Sequence, residues 1–261
     1  EVLNMMKVYS NAGTSVEEVN KQMKASVAFQ NVSDLDATTV TQSIQTIIQQ
    51  YKLLENGTMD AAQATEYLGD VMVAVAYNLA KEESVAMQEV ISGIETAGNM
   101  IKTSGGSFEW FTAVIGTLSE VMNASGSETA NAMKMIAART LKSKEAIEDL
   151  ADSGEDMEDI EIAASNAEKA LNSIGLSARN SNGDFKDLEV ILGEVAGKWD
   201  TLSDATKQYV SEQLAGNNRR SYFIGLMENY KRVEELQLKA ENSSGALMEA
   251  SEKKAESLEG R

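Results

Sequence analysis

Among the side chains that could do chemistry in this sequence, carboxylates are the main candidates. The 261-residue chain contains no histidine and no cysteine. This excludes imidazole acid–base catalysis, thiol nucleophiles, disulfides and zinc sites with the usual ligands. The 41 Asp and Glu residues could still supply an acid–base pair or bind a hard cation such as Ca²⁺. Any active site would therefore have to be built from carboxylates.

The densest group of carboxylates lies between Glu145 and Glu161, where nine acidic residues occur without a basic one. Their spacing does not match an EF-hand loop, whose ligands occupy alternate positions around a central glycine. A solvated linker or an exposed helix face explains this composition better than a cation site. We place a domain boundary here.

Two short motifs resemble elements of lytic transglycosylases, which cleave peptidoglycan. The sequence YFIGLMENY at 222–230 is similar to their Gly-Leu-Met signature, and AYN at 76–78 is similar to a second motif. The two occur here in reverse order, and neither Glu-Ser pair (83–84, 256–257) lies at a suitable distance before Gly225. Such an enzyme needs a buried catalytic Glu. We predict no catalytic residue, no cofactor and no metal, and keep a peptidoglycan-cleaving glycosidase as an alternative.

The elements that would position any site are helices, because apolar residues recur with helical spacing along most of the chain. Five stripes follow the i, i+3, i+4, i+7 pattern: Val40, Ile44, Ile47, Ile48, Tyr51 and Leu54; Leu68, Val71, Met72, Val75 and Leu79; Phe111, Val114, Ile115, Leu118 and Met122; Leu188, Ile191, Leu192, Val195 and Trp199; and Phe223, Leu226, Met227 and Tyr230. Proline is absent. Joints such as Gly105-Gly106-Ser107 and Gly126-Ser127 place a helix-stopping glycine before a helix-starting hydroxyl. The sequence predicts an all-α bundle of short amphipathic helices with Gly/Ser joints.

One stretch departs from this pattern. Residues 179–192, RNSNGDFKDLEVIL, contain the dipeptide Asn182-Gly183, which fits a two-residue hairpin turn because both central positions need positive φ. We predict one small β-hairpin near 176–187, with Asp187 capping the helix that follows. The hairpin would be a bend between two helices.

Net charge and hydropathy argue against binding to nucleic acid and against a membrane span. The formal net charge is −18, so phosphate backbones repel the chain and direct nucleic-acid binding is not expected. The longest strongly apolar stretch, VMVAVAY at 71–77, is too short to span a membrane. We find no signal peptide and no initiator Met, and we expect the sequence to be an excerpt of a longer protein.

Residues 170–230 closely resemble the core region of phage tail tape measure proteins, most strongly those of long-tailed phages and prophages of Gram-positive bacteria. An ordered set of residues carries the resemblance: Leu171, Ile174, Gly175, Leu176, Ser177, Asn182, Gly183, Asp187, Leu188, Trp199, Leu202, Ser203, Leu214, Ala215, Gly216, Arg219, Phe223, Leu226 and Met227. Residues 10–140 are similar more loosely. We single out seven as structural residues: Asn182, Gly183, Asp187, Trp199, Gly216, Arg219 and Phe223.

The resemblance implies a helical N-terminal part at 1–144, a helix-hairpin-helix motif at 163–240 and the start of an exit helix at 241–261. The acidic linker or exposed helix predicted from composition occupies 145–162 between them. The resemblance also implies a tail component that sets tail length during assembly and is expelled from the tube during genome delivery. The expected partners are the tail tube protein and tail-assembly chaperones, with possible self-association. The expected locations are the lumen of the virion tail tube and, during assembly, the bacterial cytoplasm.

The chain could be a helical interaction module that docks tail-assembly partners through exposed Met-containing stripes. Its 261 residues would reach about 390 Å as one continuous helix, against a radius of gyration of about 18 Å as a compact domain. The many joints and amphipathic stripes favour the compact form.

Overall fold

Helices dominate the computed structural model, which describes residues 16–55, 57–141 and 166–259. Its named α-helices are, in chain order, α1 (Val16–Ser33), α2 (Ala37–Tyr51), α3 (Ala61–Ala76), α4 (Glu83–Thr103), α5 (Phe108–Val121), α6 (Gly126–Leu141), α7 (Leu188–Trp199), α8 (Asp204–Ala215), α9 (Arg220–Glu228), α10 (Tyr230–Glu241) and α11 (Ala246–Glu259). Residues 166–173 are also helical, and a 3₁₀ turn (Asn217–Arg219) joins α8 to α9. The all-α prediction is confirmed.

Polar caps determine where several of these helices begin. The Asp36 carboxylate accepts the backbone N–H groups of Thr38 and Thr39 at the start of α2. Ser107 accepts the N–H of Trp110 at 3.2 Å, so the predicted Gly105-Gly106-Ser107 joint is confirmed. The second predicted joint, Gly126-Ser127, is wrong by two residues, because the capping hydroxyl belongs to Ser125 and not to Ser127. Helix α6 begins at Gly126 itself, because the preceding serine, Ser125, forms the cap.

That cap is reciprocal. The Ser125 hydroxyl accepts the backbone N–H of Glu128 at 3.3 Å, and the Glu128 carboxylate accepts the N–H of Ser125 at 3.0 Å. The side chain of each residue thus accepts the backbone N–H of the other. Two N–H groups at the start of α6 that have no partner within the helix are satisfied in this way. Hydrogen bonds from the Ser125 backbone and hydroxyl lower the pKa of Glu128, and the nearby Arg219 guanidinium lowers it further.

One main core cluster draws its residues from between Ala28 and Ala250, and Val19 and Ala37 form a second, small cluster. Helix α5 lies inside the main cluster and packs against α3, α4, α6, α9 and α10; eleven of its fourteen residues are buried. Almost every residue of the five predicted stripes is buried. Leu54, at 41% exposed, is the clear exception, because Lys52 adopts a left-handed conformation and ends α2 at Tyr51.

Helices α4 and α6 approach each other at two glycines. A Cβ atom on Gly126 would lie 1.7 Å from the backbone oxygen of Glu89 in α4. A Cβ on Gly93 would lie 3.0 Å from the backbone oxygen of Gly126 and 2.8 Å from the Ile115 side chain. The backbones of the two helices are therefore in direct contact, which requires residues without side chains.

The predicted β-hairpin near 176–187 is wrong. Within the part of the chain that the structure describes there is no strand, and this stretch contains only an isolated antiparallel bridge between Arg179 and Phe185. Of the predicted turn pair, only Gly183 has positive φ, at +90°. The Asn180 side-chain oxygen accepts the N–H groups of Asn182 and Asp184. This Asx-type turn takes up donors that a strand ladder would use.

The predicted acidic linker at 145–162 lies outside the described residues, as do residues 1–15 of the predicted N-terminal part. The boundary itself stays a prediction. Helices on both sides of it share the core, since α6 packs against α7, α8 and α9. Among the helices that the structure describes, none is long and apolar enough to cross a membrane.

Candidate functional site

Trp199 and Phe223 are two of the seven predicted structural residues that the structure brings together. Their rings meet edge to face with centroids 5.9 Å apart and an interplanar angle of 67°, and both side chains are almost fully buried. The Lys207 ammonium lies 5.5 Å from the Trp199 ring centroid. This edge-to-face geometry is the favourable arrangement for aromatic pairs and ties the end of α7 to α9.

Gly216 and Arg219 lie at the junction of α8 and α9. Gly216 has φ +71° and donates its N–H to the Glu212 carbonyl at 2.8 Å, which ends α8. A Cβ at this position would lie 3.3 Å from the guanidinium carbon of Arg139 in α6, whose Nε donates to the Gln213 carbonyl. Arg219 occupies the 3₁₀ turn and is partly exposed. These two residues shape a joint.

Asp187, Asn182 and Gly183 lie elsewhere. Asp187 occupies the N-cap position of α7, as predicted, but its side chain makes no capping hydrogen bond. Its carboxylate instead lies beside Gly105, where a Cβ would be 2.2 Å from Oδ1. Asn182 and Gly183 are exposed in the turn. The seven predicted residues therefore lie at four places: the buried aromatic pair, the joint between α8 and α9, the start of α7 and the exposed turn.

Sequence reasoning missed a hydrogen-bond network that crosses the middle of the fold. The indole N–H of Trp110 in α5 donates to the Tyr230 hydroxyl of α10 at 3.0 Å, and that hydroxyl donates to the Glu189 carbonyl of α7 at 3.4 Å. The Glu189 carboxylate accepts the Ser107 N–H at 2.9 Å and the Gln237 amide at 2.9 Å. The network joins α5, α7 and α10. The stripes marked Tyr230 as buried, but nothing in the sequence paired it with Trp110.

Two tyrosines, the buried Tyr51 and the partly buried Tyr67, pack around Phe108. The Tyr51 and Tyr67 rings lie 5.0 and 5.6 Å from the Phe108 ring, and the Tyr67 hydroxyl donates to the Glu109 carboxylate at 2.6 Å. Burial raises the pKa of Tyr51 and of Tyr67, and the negative charge of Glu109 adds to both increases. These hydroxyls are held protonated in the interior.

A surface groove of 720 Å³ between the end of α3 and α11 is lined by Glu82, Glu83 and Glu249, and is large enough to hold a sugar. A glycosidase needs one carboxyl whose pKa is raised so that it can protonate the glycosidic oxygen. Hydrogen bonds from the Ser84 hydroxyl and the Val85 N–H lower the pKa of Glu82. Lys253, which donates to Glu249, lowers the pKa of that carboxyl. Both shifts are opposite to what a general acid requires.

The two motifs that resemble lytic transglycosylases have structural roles in this fold. The Asn78 carbonyl and side-chain oxygen accept hydrogen bonds from Arg232 and Lys239 of α10. A Cβ on Gly225 would lie 2.9 Å from the Met122 sulfur, so this glycine makes room for a core side chain. Across residues 16–55, 57–141 and 166–259, no group of three Asp or Glu side chains is arranged to hold a metal ion.

Comparison with known proteins gives one family. The family described as phage-related minor tail protein matches residues 1–216 of the 261 in this chain. No solved structure matches the chain. Membership favours a structural role in the virion tail over a catalytic one, with other tail components as partners. Since the match covers well over half of the sequence, the chain belongs to the family of phage-related minor tail proteins.

Proposed function

We propose that this chain is the core region of a tail tape measure protein, the tail component that sets tail length during assembly and is expelled from the tube during genome delivery. The observation that carries the proposal is the ordered set of residues between 170 and 230, which resembles the core region of tape measure proteins. Family membership supports the broader role in the tail. The same resemblance favours a phage or prophage of a Gram-positive host.

The motif residues support the proposal through their place in the fold. Trp199 and Phe223 form a buried aromatic pair, Gly216 ends α8 with positive φ, and Tyr230, at the end of the matched stretch, bonds to Trp110. In our proposal residues 163–240 form a unit that packs on helices from 1–144, and residues 241–261 are the start of an exit helix, whose described part, α11, packs on α1 and α3 in this structure. These motif residues stabilise the fold, which is a role that involves no substrate.

The proposed partners follow from the role. The tail tube protein would polymerise around the tape measure with the help of tail-assembly chaperones, in the bacterial cytoplasm during assembly. In the finished virion the chain would lie in the tube lumen. The net charge of −18 suits a chain that shares this conduit with DNA, because like charges prevent adhesion to the phosphate backbone.

Tail length in engineered phages tests the proposal. Helix-forming segments of 21 or 42 residues are inserted directly after Glu259, at the end of α11, in the phage gene. A helical ruler rises 1.5 Å per residue, so the tails should lengthen by about 30 and about 60 Å. Negative-stain electron microscopy measures the tails.

The two insert lengths control for each other, since a non-specific assembly defect would not scale with the number of residues added. Tails of unchanged mean length with both inserts would contradict the role in length determination. The membership of the tail protein family would stand in that case, because it rests on the sequence match over residues 1–216.

A further inference from the structure

Helix α11 is held to the body by a buried carboxylate from another part of the chain. Asp70, in the interior of α3 and 9% exposed, accepts the Gly245 N–H on one oxygen and the Leu247 N–H on the other, both at 2.8 Å. The first N–H groups of a helix have no partner within the helix. The Asp70 carboxylate therefore caps the N-terminus of α11, although it lies 175 positions earlier in the sequence than Gly245.

The residue beside Asp70 completes this attachment. A Cβ atom on Gly69 would lie 2.4 Å from the Leu247 side chain, and Leu247 is fully buried. Leu247 therefore fits into a space that exists only because position 69 has no side chain. The Asp70 carboxylate and the fit of Leu247 over Gly69 together hold the first turn of α11 on α3.

Beyond that first turn α11 packs along α1 and α3, but few of its side chains are buried. Ala250 and Ser251 are buried, and Ser251 accepts a hydrogen bond from Asn31 of α1 at 3.0 Å. Further along, the Lys254 ammonium contacts the Asp34 carboxylate at 2.8 Å, and the other side chains between 252 and 257 are exposed. Residues 252–257 thus add little buried apolar area.

The packing around α11 is also incomplete. In the described part of the chain, surface hollows with volumes of 300, 380, 480 and 720 Å³ border α11. One is lined by Met23, Val27 and Met248, and the 720 Å³ groove undercuts the opposite side at Ala246 and Ala250. Few buried contacts and many open edges characterise the segments that open first in a folded protein.

A turn before α11 could serve as the hinge. Residues 242–245 join α10 to α11, and Gly245 has φ +88° with no heavy atom within 4 Å of a Cβ placed there. The chain can change direction at this glycine without a clash, since glycine has access to both signs of φ.

We propose that α11 undocks from α1 and α3 as a unit about the 242–245 turn while the rest of the core stays folded, and that Asp70 is the latch that holds it closed. Opening removes Leu247 from the space over Gly69 and separates the Lys254–Asp34 pair. The latch is a property of this fold, and it holds whether or not the chain determines tail length.

Hydrogen exchange with mass spectrometry on the whole 261-residue chain tests the latch. In the unaltered protein, peptides covering 246–257 should exchange faster than those of α4, α5 and α6. Asp70→Asn keeps the shape but loses the charge and one of the two acceptors, so exchange at 246–257 should rise roughly 10- to 100-fold. Gly69→Ala should give a rise at the same peptides by displacing Leu247.

Asp60→Asn is the matched control. It makes the same substitution in a capping carboxylate of the same helix, α3, at a position that caps the start of α3 itself. It should leave exchange at 246–257 within about twofold. Exchange at 246–257 no faster than in α4 to α6 of the unaltered protein would overturn the proposal, as would an Asp70→Asn effect that is absent or spread over the whole core.

Discussion

Trp110 donates its indole N–H to the hydroxyl oxygen of Tyr230 at 3.0 Å, which joins α5 to α10 across 120 positions of the chain. Trp110 is fully buried and Tyr230 is 7% exposed, so water cannot replace either partner. The same hydroxyl reaches the Glu189 carbonyl, and α5, α7 and α10 meet at this one oxygen atom. Burial raises the pKa of Tyr230, so the hydroxyl keeps the proton that it donates to the Glu189 carbonyl.

Tyr230→Phe should destabilise the protein. The substitution removes one oxygen and leaves the Trp110 N–H buried without its acceptor, at a cost of about 1–3 kcal/mol. Urea denaturation followed by tryptophan fluorescence measures the change in the free energy of unfolding. Tyr209→Phe, at a site 42% exposed, is the control and should cost less than about 0.5 kcal/mol. Equal stabilities of the two variants would contradict the importance of this bond.

Substitution by alanine should change the thermal stability in opposite directions at two glycines that have open surroundings. No heavy atom lies within 4 Å of a Cβ placed on Gly183 or on Gly197, so packing does not distinguish them. Gly183 has φ +90°, where an L-residue is strained by about 1–2 kcal/mol. Gly197 lies inside α7, where alanine is favoured over glycine by about 1 kcal/mol. Thermal unfolding should show a lower Tm for Gly183→Ala and a higher Tm for Gly197→Ala.

An added methyl group at Gly126 should be far more damaging. A Cβ there would lie 1.7 Å from the Glu89 backbone oxygen, and a backbone atom cannot rotate away as a side chain can. We expect Gly126→Ala to cost about 3 kcal/mol or more by forcing α4 and α6 apart. Chemical denaturation measures the loss, with Gly197→Ala as the reference substitution. A loss below about 1 kcal/mol would show that the two helices do not touch in solution.

Stability should fall steeply at alkaline pH. Burial raises the pKa of Tyr51 and Tyr67 and raises that of Tyr77 to about 12, whereas all three titrate near 10 in the unfolded chain. A raised pKa in the folded state means that the stabilisation is complete below pH 10 and is lost as pH rises toward 12. Urea midpoints at pH 8, 10 and 11 measure the trend.

Tyr51→Phe isolates one contribution to this trend. The Tyr51 hydroxyl is buried without a hydrogen-bond partner in the described part of the chain, so its removal should be nearly neutral at pH 8. The variant should then lose less stability than the unaltered protein between pH 10 and 11, with the exposed Tyr209→Phe as control. An unchanged alkaline slope would argue against burial as the cause.

The helices were predictable because the apolar residues that face the core recur with the period of an α-helix. Ile44, Ile47 and Ile48 fall on one face by spacing alone, and all three are buried. The error at Leu54 arose at the end of a helix, where the left-handed conformation of Lys52 gives no apolar signal. The hairpin failed for a related reason: Asn180 competes for the backbone N–H groups of the turn, and the dipeptide Asn182-Gly183 does not reveal that competition.

Long-range polar contacts were beyond sequence reasoning. Asp70 lies in a stretch of apolar residues, and nothing local indicates that its partners are the N–H groups of Gly245 and Leu247. The same holds for Glu189 and Ser107. Such pairs are created by the packing of helices, since single residues at distant positions carry no periodic signal. The candidate architecture was therefore predictable, and the contacts that hold it were not.

The contact between Gly126 and the Glu89 carbonyl also bears on how this protein can vary during evolution. Natural selection can exchange one apolar side chain for another in a core, but no other amino acid fits where two main chains touch. Orthologues that keep this helix crossing should carry glycine there without exception, while the turn at Gly183 should also admit Asn or Asp, which tolerate positive φ.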